Sequence, residues 1–178
     1  YYAYDKRGRL VLSQDGNQRD NGEWTFIKYD NRNRPVMKGV CSYESVSGYQ
    51  TALESQTVFG EQRVVPETSL SIHGYTAYKT FPTITDSNDV HIVYYYDDYK
   101  WLKSNNEYAF SVSDALGYIN SSEVEGLTTG VKTKVLDVEP SQWLTSVSYY
   151  DDKRRCIQTV KNLFPEGIEV VSNAHNFM

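Results

Sequence analysis

Three times this chain runs into a Tyr-Asp pair, crosses two variable residues, and leaves through a fixed exit. At the exit stands a residue suited to positive φ, or in one copy Arg, and then an Arg. The phrases are Tyr4-Asp5-Lys6-Arg7-Gly8-Arg9-Leu10, Tyr29-Asp30-Asn31-Arg32-Asn33-Arg34-Pro35 and Tyr150-Asp151-Asp152-Lys153-Arg154-Arg155-Cys156. A looser copy, Tyr96-Asp97-Asp98-Tyr99-Lys100-Trp101, lacks the Gly-Arg, and His175-Asn176 starts a degenerate fifth. Spacing is 25 residues from Tyr4 to Tyr29 and again from Tyr150 to His175, so the middle of the chain holds inserted material. Such a phrase constrains the fold strongly, because it reads as a hairpin. Asp opens the turn, where its carboxylate accepts a backbone N–H two residues on. Gly8 and Asn33 stand where a type I or bulged loop needs φ > 0. Arg154 in that slot makes the third turn either different or strained.

The flanks carry period-2 alternation, the mark of a strand. Strands are expected over 24–28, 34–40, 107–113, 131–136, 143–150 and 168–171. Residues 89–96 are apolar on both faces and predict a central strand. Pro35 cannot donate a ladder bond, which places it at a sheet edge or first in its strand. Between 42 and 89 lies an inserted region. There 49–56 reads as a short helix after Gly48, while 63–65, 69–72 and 75–80 read as short strands and 82–88 as a loop. A second, weaker helical pattern covers 113–116 before Gly117. Asp15-Gly16-Asn17 reads as a simple turn. The expected fold is therefore mainly β: one domain over 1–178, an antiparallel sheet of hairpins with Tyr-Asp turns, plus one short helix.

Aromatic residues form 14% of the chain, and 16 are Tyr. Tyr and Trp suit half-buried pleated surfaces, where the ring packs and the polar tip reaches water. A net charge of −5 offers no footprint for nucleic acid. No apolar run approaches the roughly 20 residues of a membrane span. The chain reads as an internal piece of something longer. Cys41 and Cys156 read as two unpaired small hydrophobes, with a bridge left open in an oxidising compartment.

Candidate chemistry is sparse. Asp97-Asp98 and Asp151-Asp152 lack the clustered oxygens of a calcium loop and read as turn-capping Asp followed by solvated Asp. His73, His91 and His175 have no metal-ligand spacing. A Cys156–His nucleophile lacks a visible activating environment. No cofactor or metal is expected. Tyr95, Trp101, Trp143 and Tyr149 are the candidate ligand-stacking residues; cross-strand aromatic packing is the competing reading, and it is preferred. The Arg residues beside the turns are expected to pair with the turn carboxylates or lie over Tyr rings.

The three phrases resemble the YD repeat of the bacterial Rhs family, whose pattern is Tyr-Asp, two variable residues, Gly-Arg and an apolar residue. Tyr4 to Leu10 matches throughout; Asn33 and Arg154 replace the Gly in the other two. The resemblance implies a structural role for Tyr4, Asp5, Gly8, Arg9, Tyr29, Asp30, Asn33, Arg34, Tyr96, Asp97, Tyr150, Asp151 and Arg155. It implies a spiralling β-sheet that forms a scaffold or shell in an exported or cell-surface bacterial protein, in some members around an enclosed effector domain. No catalysis goes with the repeats. The partners implied are the remainder of the parent chain and such an effector. The alternative is a surface module that binds a glycan or a partner protein through exposed Tyr and Trp.

Overall fold

The computed structural model describes residues 1–42, 46–102 and 106–175. Its strands form an antiparallel sheet of nine, and neighbours in the sheet are neighbours in the chain. They are β1 (Tyr2–Tyr4), β2 (Leu10–Ser13), β3 (Glu23–Tyr29), β4 (Pro35–Ser42), β5 (Val90–Tyr96), β6 (Thr128–Val135), β7 (Gln142–Tyr150), β8 (Cys156–Asn162) and β9 (Ile168–Ser172). Helix α1 spans Gly16–Asn21 and α2 spans Val46–Ser55. The fold is thus mainly β, as the alternation predicts. Two compact units share it, Tyr1–Val93 and Tyr94–Met178.

In the first unit, Trp24, Phe26 and Lys28 of β3 point to one face and are all buried. The opposite residues on β4, across the pairs Trp24↔Cys41, Phe26↔Gly39 and Lys28↔Met37, share that face. The inserted region covers it. Tyr49 of α2 meets the Trp24 ring edge-on at 5.3 Å. Further along, the Lys28 ammonium is sealed beneath residues 61–80. It donates to Glu61 Oε1 at 3.0 Å, to the Thr80 carbonyl at 2.6 Å and to Thr80 Oγ1 at 3.3 Å. Glu61 in turn accepts from the hydroxyls of Thr76 and Thr80 at 2.6 Å each. Every proton of the ammonium has an acceptor, which is the condition for burying a charge. One ion pair thereby ties a segment of irregular backbone to the sheet.

The second unit repeats the arrangement with aromatic rings. Residues 98–125 lie between β5 and β6, and Trp101 among them stacks on Tyr95 of β5 with centroids 4.1 Å apart. Tyr149 of β7 is held between Tyr99 at 4.9 Å and Phe110 at 5.4 Å, and its hydroxyl donates to the Tyr108 carbonyl at 2.6 Å. The buried Gln158 side chain acts as a strand neighbour would. Its amide accepts from the Ser111 N–H at 2.8 Å and donates to the Ser111 carbonyl at 3.0 Å.

Several sequence expectations are corrected. The alternation over 107–113 does not form a strand: a 3₁₀ turn occupies Asn106–Tyr108, and Phe110 after it packs onto Tyr149. Of the alternating residues Tyr108 and Phe110 meet Tyr149 of the sheet, while Val112 is exposed. Residues 63–65, 69–72 and 75–80 make only isolated bridges, Arg63↔Tyr75 and Ile72↔Tyr75. No helix forms over 113–116. Asp15 does not open a simple turn but caps α1. Its carboxylate accepts from Gln18 N at 2.9 Å while the Gln18 amide oxygen accepts from Asp15 N at 3.1 Å, a capping box. The predicted short helix extends from 49–56 back to Val46. Pro35 is first in β4, but that strand is paired on both sides, so the edge placement fails and the first-residue placement stands. The centrality read for 89–96 agrees with the fifth place of β5 among nine.

Candidate functional site

Among the described residues one pattern of polar bonds recurs in three five-residue connections, 5–9 between β1 and β2, 30–34 between β3 and β4, and 151–155 between β7 and β8. In each, one strand ends at a Tyr that opposes the residue six positions on, Tyr4↔Leu10, Tyr29↔Pro35 and Tyr150↔Cys156, with a register shift immediately before it. The following Asp closes the loop in both directions. Asp5 N donates to Arg9 O at 3.0 Å, Asp30 N to Arg34 O at 2.9 Å and Asp151 N to Arg155 O at 3.0 Å. Each carboxylate uses one oxygen for two backbone donors. Asp5 Oδ1 accepts from Arg7 N and Arg9 N, Asp30 Oδ1 from Arg32 N and Arg34 N, Asp151 Oδ1 from Lys153 N and Arg155 N, all at 2.8–3.0 Å. The other oxygen takes the guanidinium of the closing Arg, at 2.8 Å from Nε in the first two and 2.7 Å in the third.

The residue before that Arg carries the left-handed backbone, with φ of 73° at Gly8, 63° at Asn33 and 63° at Arg154. Arg154 therefore sits in the same turn as Gly8, at the steric disadvantage of a Cβ in that region. Asn33 tolerates it better and adds a bond, since its Oδ1 accepts from Arg7 Nη1 and Arg9 Nη1 at 3.1 Å each. Those bonds are exposed and contribute little. Asn33→Gly is therefore expected to change unfolding stability by no more than about 1 kcal/mol in either direction. Chemical denaturation measures this, and a larger loss would show that Asn33 has a further role.

Burial works to raise the Asp5 carboxyl, but the Arg9 guanidinium and the N–H groups of Arg9 and Arg7 outweigh it. The group is held below the usual carboxylate range. Asp151 shows the same opposition, with Arg155 and the Lys153 N–H prevailing. These are carboxylates made to stay ionised. A general acid needs the reverse.

Successive connections also touch. The Arg9 guanidinium lies 4.5 Å over the Tyr29 ring and donates to the Phe59 carbonyl at 2.6 Å. Tyr29 Oη donates to the carbonyl of Leu10, the residue after that Arg, at 2.8 Å. In the second unit Tyr150 Oη donates to Thr128 O at 2.7 Å. His175 Nε2 lies 3.0 Å from the carbonyl of Cys156, the residue after Arg155. His175 thus holds the Tyr place in the degenerate fifth copy.

The fourth phrase, Tyr96-Asp97, is a split version. Asp97 N donates to Leu127 O at 3.1 Å, and the Asp97 carboxylate accepts from Gly126 N at 2.6 Å. Gly126 has φ 81° and takes the Gly8 place; Leu127 takes the Arg place; Thr128, next along, receives Tyr150. Residues 98–125 are therefore an insertion within one connection. Sequence reading missed this closure because Gly126 is separated from Asp97 by the whole insertion. The signal available was Gly126, two residues before the first residue of β6 as Gly8 is before β2.

Of the four candidate stacking residues, Tyr95, Trp101 and Tyr149 are buried, at 1%, 7% and 4% exposure, so none presents a ring face to a ligand. Trp143 is half-buried. Among the described residues no group of three or more His, Cys, Asp or Glu could hold a metal ion, and no helix is long and apolar enough to cross a membrane. Cys41 and Cys156 are both free thiols. Comparison of the chain with protein-family models, with curated proteins and with solved structures found no match.

Proposed function

We propose that this chain is a scaffold segment of the Rhs YD-repeat kind, which extends a β-sheet in an exported or surface-exposed bacterial protein. The observation that carries the reading is the recurrence of one bonded connection at residues 5–9, 30–34 and 151–155, down to the same donors on the same carboxylate oxygen. A site selected for one ligand is singular. A device used three times in one chain, with its Asp and Arg spent on backbone and on each other, serves the fold. The links between connections add to this, because Tyr29 and Tyr150 each read the position of the preceding return strand. An enclosed effector domain and the remainder of the parent chain are the partners this role calls for. Catalysis has no part in it. The glycan- or protein-binding alternative loses most of its proposed surface to burial of Tyr95, Trp101 and Tyr149.

The test is to exchange cassettes. Writing the sequence of 5–9 into 151–155 requires Asp152→Lys, Lys153→Arg and Arg154→Gly. If the connections are interchangeable folding devices, the thermal midpoint stays level or rises by a few degrees, since Gly removes the strain at φ 63° and recovers about 0.5–1 kcal/mol. A fall of more than about 10 °C would overturn the reading, because the three connections would then be individually adapted.

A further inference from the structure

β1 is the first strand of the sheet, and its outer side has no neighbour among the described strands. Tyr1 exchanges both backbone bonds with Gln14, at 2.7 and 2.9 Å, and Asp5 N donates to Arg9 O. In an antiparallel ladder the residues between bonded pairs turn their N–H and C=O the other way. Tyr2 therefore presents both groups outwards. Between β1 and α2 lies a groove of about 350 Å³, lined by Tyr2, Tyr4, Lys6, Tyr49, Leu53 and Glu54 among others.

Tyr4 identifies what the edge is built to receive. It holds the place that Tyr29 and Tyr150 hold in their connections, with the same register shift and the same partner six residues on. Those two tyrosines each donate to the carbonyl at the start of the preceding return strand. Tyr29 in addition lies under the Arg that precedes that strand. The Tyr4 ring is 56% exposed, and no described residue accepts a bond from its hydroxyl. We infer that the outer edge of β1 is a docking site for the return strand of another Tyr-Asp hairpin, an extended segment that begins with Arg and alternates apolar residues behind it. The strand adds antiparallel to β1, its Arg closes over the Tyr4 ring, and the carbonyl after that Arg accepts from Tyr4 Oη. Its apolar residues fill the groove against Tyr49 and Leu53. This is strand addition to a sheet edge, in which main-chain bonds give affinity and the side-chain places give selection.

The inference rests on the repeat reading, but its test is separate from the cassette exchange. The probe is a capped, fluorescent peptide with the sequence of residues 8–14, Gly8-Arg9-Leu10-Val11-Leu12-Ser13-Gln14, titrated with the whole chain and followed by polarisation. Binding is expected to be saturable and at least tenfold tighter than for a scrambled peptide. Tyr2→Pro in the protein removes one outward donor without touching the β1–β2 ladder and should weaken binding tenfold or more. Tyr4→Ala, at an exposed side chain, should do the same and serves if the proline variant misfolds. In the peptide, Arg9→Gln should lose at least threefold. Equal affinity for the scrambled peptide, or indifference to both Tyr2→Pro and Tyr4→Ala, would overturn the inference. So would self-association of the chain that competes with the peptide and disappears with Tyr2→Pro, for then a second β1 is the occupant. Intact cassette exchange with failed peptide binding would reject the edge site alone.

Discussion

Lys28→Met is expected to lower unfolding stability by about 3–5 kcal/mol, more than any other single polar change in the first unit. Met keeps most of the aliphatic stem and removes only the charge. What it leaves behind is the difficulty: Glu61, buried to 1% exposure, would face its cavity without a cation. The Thr80 carbonyl would also lose its 2.6 Å donor. Unpaired buried charge costs far more than a buried ion pair contributes over an apolar replacement. Lys28→Met/Glu61→Gln should therefore be more stable than Lys28→Met alone, although it carries one more substitution. Gln still offers an oxygen to Thr76 or Thr80. Urea denaturation of the two variants decides the matter. A loss below about 1 kcal/mol for Lys28→Met would show that residues 61–80 are not anchored through this pair.

The same pair sets a pH dependence with a definite sign. Burial pushes the Glu61 carboxyl up, but Lys28 and the Thr76 and Thr80 hydroxyls pull harder, and it lies below its ordinary value of 4.5. A carboxyl whose folded pKa is depressed contributes stability above its unfolded pKa. That contribution is lost as pH falls through the folded value. Once Lys28 is gone, only burial and neutral hydroxyls remain, and protonation becomes a relief instead of a loss. The stability gap between wild type and Lys28→Met should accordingly narrow as pH falls, first above 4.5 as the variant's Glu61 takes up its proton, then below 4.5 as the wild-type carboxyl does. A gap that stays constant from pH 7 to pH 3 would mean that Glu61 is not the group responsible.

What was legible in the sequence follows from how local each determinant is. β3 and β4 could be read because alternation and turn chemistry lie within 20 residues of each other. β5 could be placed centrally because Val90, Ile92 and Val93 leave no polar face. The left-handed backbone at Asn33 followed from the residue type and its offset from Asp30. By contrast, the Lys28–Glu61 pair joins residues 33 apart through irregular backbone, and no periodic signal connects them. Lys28 closed the expected strand over 24–28, and nothing in that pattern showed that it lies on the buried face with Trp24 and Phe26. Tyr95, Trp101, Trp143 and Tyr149 were ambiguous in the sequence for a physical reason: a ring that packs on a sheet and a ring that awaits a ligand have the same composition. Only burial separates them. The split connection at Asp97 was hidden by an insertion whose own alternation imitates a strand.

One of the contacts that hold that insertion to the sheet is the Trp101 ring, and Gly130 is the residue that permits it. A methyl built on Gly130 would lie 2.9 Å from Trp101 Cε2 and closer still to Cζ2 and Cη2. The Trp101 ring rests directly on the β6 backbone, stacked on Tyr95 from the side and donating from Nε1 to Thr129 Oγ1 at 3.1 Å. The Thr129 hydroxyl donates to the Asp98 carbonyl at 2.7 Å, so the start of the insertion is bonded to the strand that the ring covers. Gly130 has no positive φ to accommodate, and the demand is purely for space. The rigid ring cannot move aside without giving up its stack and its bond. Gly130→Ala is therefore expected to cost about 3–4 kcal/mol, between overpacking and outright loss of a buried Trp. Trp101→Ala should cost a similar amount by opening a cavity. The decisive measurement is the double variant. If both changes act through one contact, Gly130→Ala/Trp101→Ala should be scarcely less stable than Trp101→Ala, with a coupling of about 2 kcal/mol or more. Additive losses would place the effect of Gly130 in the strand itself, and the insertion would then be held through its contacts with Tyr149 and Gln158.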